Sequence, residues 1–223
     1  MDDELLRLQV YRTFAWTGRA PSAVELADAL DVTSSEVDAG LRRLAEERHV
    51  VLDPVGAIVM AHPFTAVPMG FSVMGDHTLW WGGCAWDSFA LPQLLGDVVP
   101  GSSRVLVATT CPACGSPHAW NVDAAAPPEG DQVAHFLVPA AHIWDDVVHT
   151  CSNQRIFCST GCVDDWLTRT GHPRGYVMDL ATLWRLAAHW YDGRFEYGYR
   201  RHDPATAADY LRSVGLAGPF WGL

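Results

Sequence analysis

The chain has 223 residues, 49% of them apolar and 18% charged, and carries a formal net charge of −11. That is enough apolar material for one large domain or two small ones with a substantial core. The negative balance argues against nucleic acid or anionic membrane as the main partner, because phosphate binding needs a basic face. No apolar run approaches the ~20 residues needed to span a bilayer, and the opening Met1-Asp2-Asp3-Glu4 is acidic, unlike a secretory leader. A cytoplasmic protein with reduced thiols is therefore expected, and in that setting clustered cysteines read as metal ligands or catalytic groups before disulfides. The ten tryptophans suit either core packing or a pocket lined for an apolar ligand.

In chain order, Leu5 to Thr17 reads as a first helix. Ser22-Ala-Val-Glu25 and Thr33-Ser-Ser-Glu36 are two capping boxes, each a hydroxyl N-cap with glutamate at N3. The second opens a helix with Val37, Leu41 and Leu44 on one face. Val50 to Leu52 and Ala57 to Met60, around Asp53-Pro-Val-Gly56, read as a hairpin. Three helices followed by a hairpin make residues 1–64 a winged-helix-like N-terminal domain. Its third helix holds Arg42, Arg43 and Arg48, but also Glu36, Asp38, Glu46 and Glu47. Residues 1–64 contain 11 acidic and 6 basic side chains, so a packing or lid role is expected rather than DNA reading.

His62-Pro63-Phe64-Thr-Ala-Val-Pro68 reads as a proline-punctuated link, and residues 65–223 as a second domain. Phe71 to Met74 and Thr78 to Trp81 suit a hairpin, broken by Gly82-Gly83. A helical stretch then runs from Cys84 toward Leu95, with Pro92 expected to weaken it or end it early. Arg104 to Thr109, Ala119 to Val122 and His135 to Val138 are strand candidates. Gly161 to Thr170, Leu180 to Tyr191 and Ala205 to Ser213 look helical. The fold class expected is α+β, with a mostly antiparallel sheet and helices.

All six cysteines lie between Cys84 and Cys162. Cys111-Pro-Ala-Cys114-Gly115 and Cys158-Ser-Thr-Gly-Cys162 have the paired spacing of tetrahedral zinc ligands. Each short spacing lets two sulfurs from one turn reach one ion at ~2.3 Å. A closed site with four sulfurs has no open position, so a structural zinc on Cys111, Cys114, Cys158 and Cys162 is expected; buried thiols or chance spacing is the alternative. Cys84 and Cys151 remain unpaired. Cys84 stands where a helix begins, where the dipole favours its thiolate, and Asp87 three residues on faces the same way. A carboxyl group beside a thiol can pass a proton; the bland alternative is a capping aspartate beside a small core residue.

Leu79-Trp-Trp-Gly-Gly-Cys-Ala-Trp-Asp-Ser-Phe-Ala-Leu-Pro92 resembles the organomercurial (alkylmercury) lyase family, in which a strand ending in aromatics leads into Cys-Ala-x-Asp and an apolar helix with a proline. Asp146-Val-Val-His-Thr-Cys151-Ser-Asn-Gln-Arg-Ile-Phe157-Cys-Ser159 resembles the segment around the family's second cysteine, with Asp165-Trp166 following at the matching distance. The resemblance implies an alkylmercury lyase-like catalytic domain over residues 65–223, with Cys84, Asp87 and Cys151 as catalytic residues. It leaves Cys158 to the metal set, a complete four-cysteine set being a departure from the family pattern. It implies protonolysis of a carbon–mercury bond in an organomercurial small molecule, with no catalytic cofactor. Mercuric ion would pass to low-molecular-weight thiols or a mercuric reductase. An apolar pocket is expected from Trp80, Trp81 and Trp86. It also implies that the N-terminal unit does not read DNA. Two other readings stand beside it: a metal- or ligand-binding sensor with a zinc site, and a lyase-like fold acting on another soft or electrophilic ligand.

Overall fold

A computed structural model describes residues 1–223. Helix α1 (Asp3–Thr17) is capped by the Asp2 carboxylate and ends at Gly18, whose φ of 71° is left-handed. A Cβ at Gly18 would sit 2.0 Å from the Leu79 carbonyl oxygen, so only glycine lets the end of α1 meet the strand that leads to Cys84. Helices α2 (Ala23–Leu30) and α3 (Ser34–Glu46) open on the two capping boxes, with both reciprocal bonds formed in each. Helix α3 buries Val37, Gly40, Leu41 and Leu44, the face read from the spacing plus one glycine.

Strands β1 (Val51–Leu52) and β2 (Ile58–Ala61) form the hairpin. Strands β3 (Phe64–Thr65), β4 (Phe71–Met74), β5 (Leu79–Gly82), β6 (Arg104–Thr110) and β7 (Pro117–Asp123) continue the same sheet. Its order is β1-β2-β3-β5-β4-β6-β7, antiparallel throughout. The sheet therefore runs unbroken across positions 64 and 65, and one core of 43 buried residues extends from Leu6 to Trp221. Trp80 Nε1 strengthens that join by donating to the carbonyls of Phe14 (3.1 Å) and Ala15 (3.0 Å) in the last turn of α1.

A second antiparallel sheet has the order β10-β8-β9, from β8 (Val133–Phe136), β9 (Gln154–Phe157) and β10 (Tyr176–Asp179). β3 has only two residues, and β9 (Gln-Arg-Ile-Phe) and β10 (Tyr-Val-Met-Asp) do not alternate apolar with polar, so the sequence pattern does not mark them as strands. Around the sheets lie α4 (Ala85–Leu95), α5 (Val147–Ser152), α6 (Thr160–Thr170), α7 (Leu180–Ala188) and α8 (Pro204–Ser213). This is the expected α+β architecture of helices and antiparallel sheet. No helix is long and apolar enough to cross a membrane.

Helix α4 corrects one expectation, because Pro92 does not end it early. The helix continues to Leu95, and the Gly96 N–H closes on the Pro92 carbonyl at 3.0 Å. Every residue of α4 except Gln93 and Leu94 is buried, between α7 and the sheet strands. Packing on all sides holds the helix where propensity alone would release it. Helix α7 stops at Ala188 rather than reaching Tyr191, and the loop after it carries four side chains into the site described next.

Candidate active site

The site starts at the turn from β5 into α4. Cys84 is the N-cap of α4, and the Asp87 backbone N–H donates to its Sγ at 3.4 Å. The Cys84 thiol donates to Asp87 Oδ2 at 3.2 Å. Spacing of three residues across a helix start brings the two groups to one side. The two glycines before Cys84 make that approach possible. A Cβ on Gly82 would meet Ser88 Oγ at 2.0 Å, and one on Gly83 would meet Asp87 Oδ2 at 2.4 Å.

Cys151, near the end of the short helix α5, reaches the same place from a distant part of the chain. Its thiol lines the same pocket as that of Cys84, and its Sγ is 3.5 Å from His62 Nε2. His62 comes from the two-residue connection between β2 and β3. Tyr191, just beyond α7, donates its hydroxyl to Asp87 Oδ1 at 2.5 Å. Cys84, Asp87 and Cys151 are 2%, 1% and 4% exposed, so they share a pocket nearly closed to water. His62, Asp87 and Cys151 offer ligand atoms that all lie within 4.8 Å of one another. The structure thus brings the three sequence-selected residues together and adds His62, Tyr191 and Arg194. No local motif marks these three additions. His62 read as part of a link, and Tyr191 as the end of a helix.

Burial controls the ionisation of this cluster. It pushes Asp87 from 3.8 up to about 7, against the hydrogen bonds from Tyr191 and Cys84 and the charge of Arg194. It also pushes the Cys84 thiol well above its ordinary value, with Cys151 and the Asp87 carboxyl adding to the effect. This reverses the expected thiolate-favouring action of the helix N-terminus. A helix dipole contributes at most about 2 kcal/mol, and removing a thiolate from water beside a carboxyl group outweighs it. At Cys151 the neighbouring Cys84 thiol favours the thiolate, but burial and the Asp87 carboxyl leave the value raised. Burial, then the charges of Arg194 and Arg201, lower His62 to about 3, so its imidazole is neutral. At neutral pH the resting site holds two thiols, a neutral imidazole and a carboxyl group near its midpoint.

The walls are aromatic, as expected, but the expected tryptophans are only partly the right ones. Trp86 lines the pocket, joined by Trp144 and Trp190. Trp80 instead lies in the core against α1, and Trp81 is not part of the wall. Adjacent strand residues point to opposite faces, and neither face of β5 opens on the pocket. Arg201 lies over the Trp144 ring at 4.3 Å, and Arg194 over Tyr191 at 5.0 Å.

The other four cysteines form a separate cluster. Cys111 and Cys114 sit in the turn between β6 and β7, Cys158 follows β9, and Cys162 lies in the first turn of α6. Their sulfurs all lie within 4.8 Å of one another, and none is in a disulfide. His118 Nε2, from β7, is 3.4 Å from Cys158 Sγ; nothing in the cysteine spacing singled it out.

The family model described as MerB, alkylmercury lyase, matches residues 64–192, more than half of the chain. The chain belongs to the alkylmercury lyase family. The matched span takes in Cys84, Asp87 and Cys151, as well as the four-cysteine cluster. Among solved structures, the mercury-bound form of MerB2 aligns with a TM-score of 0.59 and 19% identity, covering 83% of this chain and 93% of that one. The alignment shows a shared fold extending well beyond the residues of the family match. No curated protein matches this alkylmercury lyase family member.

Proposed function

We propose that the protein is an organomercurial lyase that breaks a carbon–mercury bond by protonolysis, with Cys84 and Cys151 as mercury ligands and Asp87 as proton donor. The observation that carries this reading is the convergence of two thiols and a carboxyl group in one buried aromatic pocket, in a chain of the alkylmercury lyase family. Mercury is soft, and thiolate is the softest side-chain ligand. An organomercurial enters as its thiolate adduct. Cys84 replaces that thiolate, which leaves as free thiol, so that one protein thiol proton is consumed. Cys151 then adds its sulfur, and the carbon–mercury bond weakens as mercury gains a second protein ligand. The remaining thiol proton passes through Asp87 to the carbon, which leaves as hydrocarbon. Mercury stays bridged between Cys84 and Cys151.

Several features favour this sequence of events. Asp87 lies within hydrogen-bond reach of Cys84, and its raised value of about 7 is suited to giving a proton near neutral pH. Neutral His62 beside Cys151 can accept from that thiol without adding positive charge to the pocket. No organic cofactor enters the chemistry. Low-molecular-weight thiols or a mercuric reductase would take the mercuric ion, in a reducing compartment such as the cytoplasm. Anaerobic incubation with methylmercury and excess thiol tests the reading: methane and mercuric ion should appear together in equal amounts. Methylmercury recovered intact would overturn it.

A further inference from the structure

We propose that Cys111, Cys114, Cys158 and Cys162 bind one zinc ion in a closed tetrathiolate site, and that this site fixes the strand that follows the helix bearing Cys151. The metal-binding half is independent of the lyase reading; the positioning half rests on it. Zinc–sulfur bonds of ~2.3 Å in a tetrahedron set the sulfurs roughly 3.8 Å apart. The four sulfurs here lie within 4.8 Å of one another, with Cys114 and Cys158 at 3.5 Å. A disulfide would need ~2.05 Å, and all four thiols are free.

The backbone is already shaped for such a site. The Gly115 N–H bonds back to the Cys111 carbonyl at 2.9 Å, and the Cys111 N–H bonds to the Ser116 carbonyl at 2.9 Å. That tight turn needs the left-handed φ of 74° at Gly115. It aims both sulfurs at the start of α6, where Ser159 caps the helix and Cys162 occupies the first turn. Four sulfurs fill a tetrahedron, so His118 is placed as an outer hydrogen-bond donor to Cys158 rather than a fifth ligand.

Besides Arg169 of α6, which donates to the Pro112 and Ala113 carbonyls, this corner of the fold is held by little buried apolar packing. Its own apolar cluster contains only Cys111, Phe157 and Val163 as buried members, separate from the main core. A core that small contributes little stability, and small units of this kind depend on a metal or other cross-link. What the cross-link secures is β9. That strand begins three residues after Cys151 and ends immediately before Cys158. It pairs with β8 over four positions, and Arg155 ties it to the larger sheet by donating to the Met69 carbonyl at 2.9 Å. One short strand, β9, therefore separates the pocket thiol, on α5 before it, from the zinc ligand immediately after it. Slippage at the zinc end would shift Cys151.

Metal analysis of protein purified without added zinc should find about one equivalent, as a single four-ligand site implies. Cobalt(II) added to chelated protein should give the strong visible and charge-transfer absorption of a tetrahedral tetrathiolate. Cys114→Ser and Cys162→Ser should each lose the bound equivalent, whereas Cys84→Ser and Cys151→Ser should retain it. Removing zinc from the wild type should lower Tm by more than about 10 °C. It should also raise the rate at which Cys151 is alkylated, read by peptide mass spectrometry, at least tenfold. Metal-free protein with an unchanged Tm, or zinc retained by Cys114→Ser and Cys162→Ser together, would overturn the site. Cys151 equally protected with and without zinc would overturn the positioning role. Should a serine variant fail to fold, the cobalt titration of wild-type protein still decides metal binding. None of these readouts requires carbon–mercury cleavage, so the absence of cleavage would overturn the lyase reading and leave this one standing.

Discussion

Replacing Asp87 by Asn should make the protein more stable at alkaline pH while ending its chemistry. Burial raises the Asp87 carboxyl from 3.8 to about 7, and a rise of that size corresponds to about 4 kcal/mol. Because the folded state holds this proton more tightly than the unfolded chain, the stability it contributes is fully present below 3.8. It is lost progressively as pH climbs from there toward about 7. Asn is nearly isosteric with the neutral acid. Its amide can donate to Cys84 Sγ where the carboxyl now faces the thiol, and its carbonyl can accept from the Tyr191 hydroxyl. It cannot ionise, so it escapes the cost of burying a carboxylate. Asp87→Asn should therefore gain on the wild type by roughly 3 kcal/mol between pH 5 and pH 8. Urea unfolding of both proteins at the two pH values, in zinc-replete buffer, measures this directly, and contributions from other titrating groups cancel in the difference. A stability difference that stays constant with pH would refute the reasoning. A variant that loses ground as pH rises would mean that Arg194 holds the carboxylate ionised. Carbon–mercury cleavage should disappear in the same variant, since an amide cannot deliver the proton.

Cys84→Ser and Cys151→Ser should each abolish cleavage and retain the wild-type zinc content, because a hydroxyl is a hard ligand that does not hold mercury as thiolate does; an active serine variant would remove that thiol from the mechanism. Tyr191→Phe takes away a hydrogen bond that lowers the Asp87 value. The alkaline limb of the pH–rate profile should move upward, and an unchanged profile would argue against Asp87 as the acid. Gly83→Ala puts a Cβ 2.4 Å from Asp87 Oδ2 and 2.8 Å from Met60 Cε. It should cost about 1–3 kcal/mol in stability and slow cleavage by at least about tenfold through the displaced carboxyl, whereas full activity would show that the turn has slack. In a gel-shift assay the chain should show no tight duplex-DNA binding that weakens with salt, because Arg43 on α3 is engaged by Asp3 at 2.6 Å and acidic residues surround it.

What was legible in the sequence is what short spacing encodes. The two capping boxes start α2 and α3 where they were read. Cys84 and Asp87 meet because three residues across a helix start leave no other arrangement. The Cys-x-x-Cys-Gly turn brings Cys111 and Cys114 together. Each of these depends on hydrogen bonds and dihedrals within a few residues, so residue type and order settle them. The meeting of Cys151 with Cys84, and the arrival of His62 and Tyr191, depend instead on how α5, the connection between β2 and β3, and the loop after α7 pack around one core. β9 and β10 show no apolar–polar alternation in the sequence, and their strand structure comes from pairing with β8 on either side. The choice of Trp144 and Trp190 over Trp80 and Trp81 for the pocket wall was likewise settled by packing. So was the ionisation of the site. A cysteine at a helix N-terminus reads as an acidified thiol, and only the completed fold shows it to be 2% exposed beside a buried carboxyl group. Loss of water then outweighs the helix dipole, and loss of water is a property of everything that surrounds a residue rather than of its neighbours in the chain.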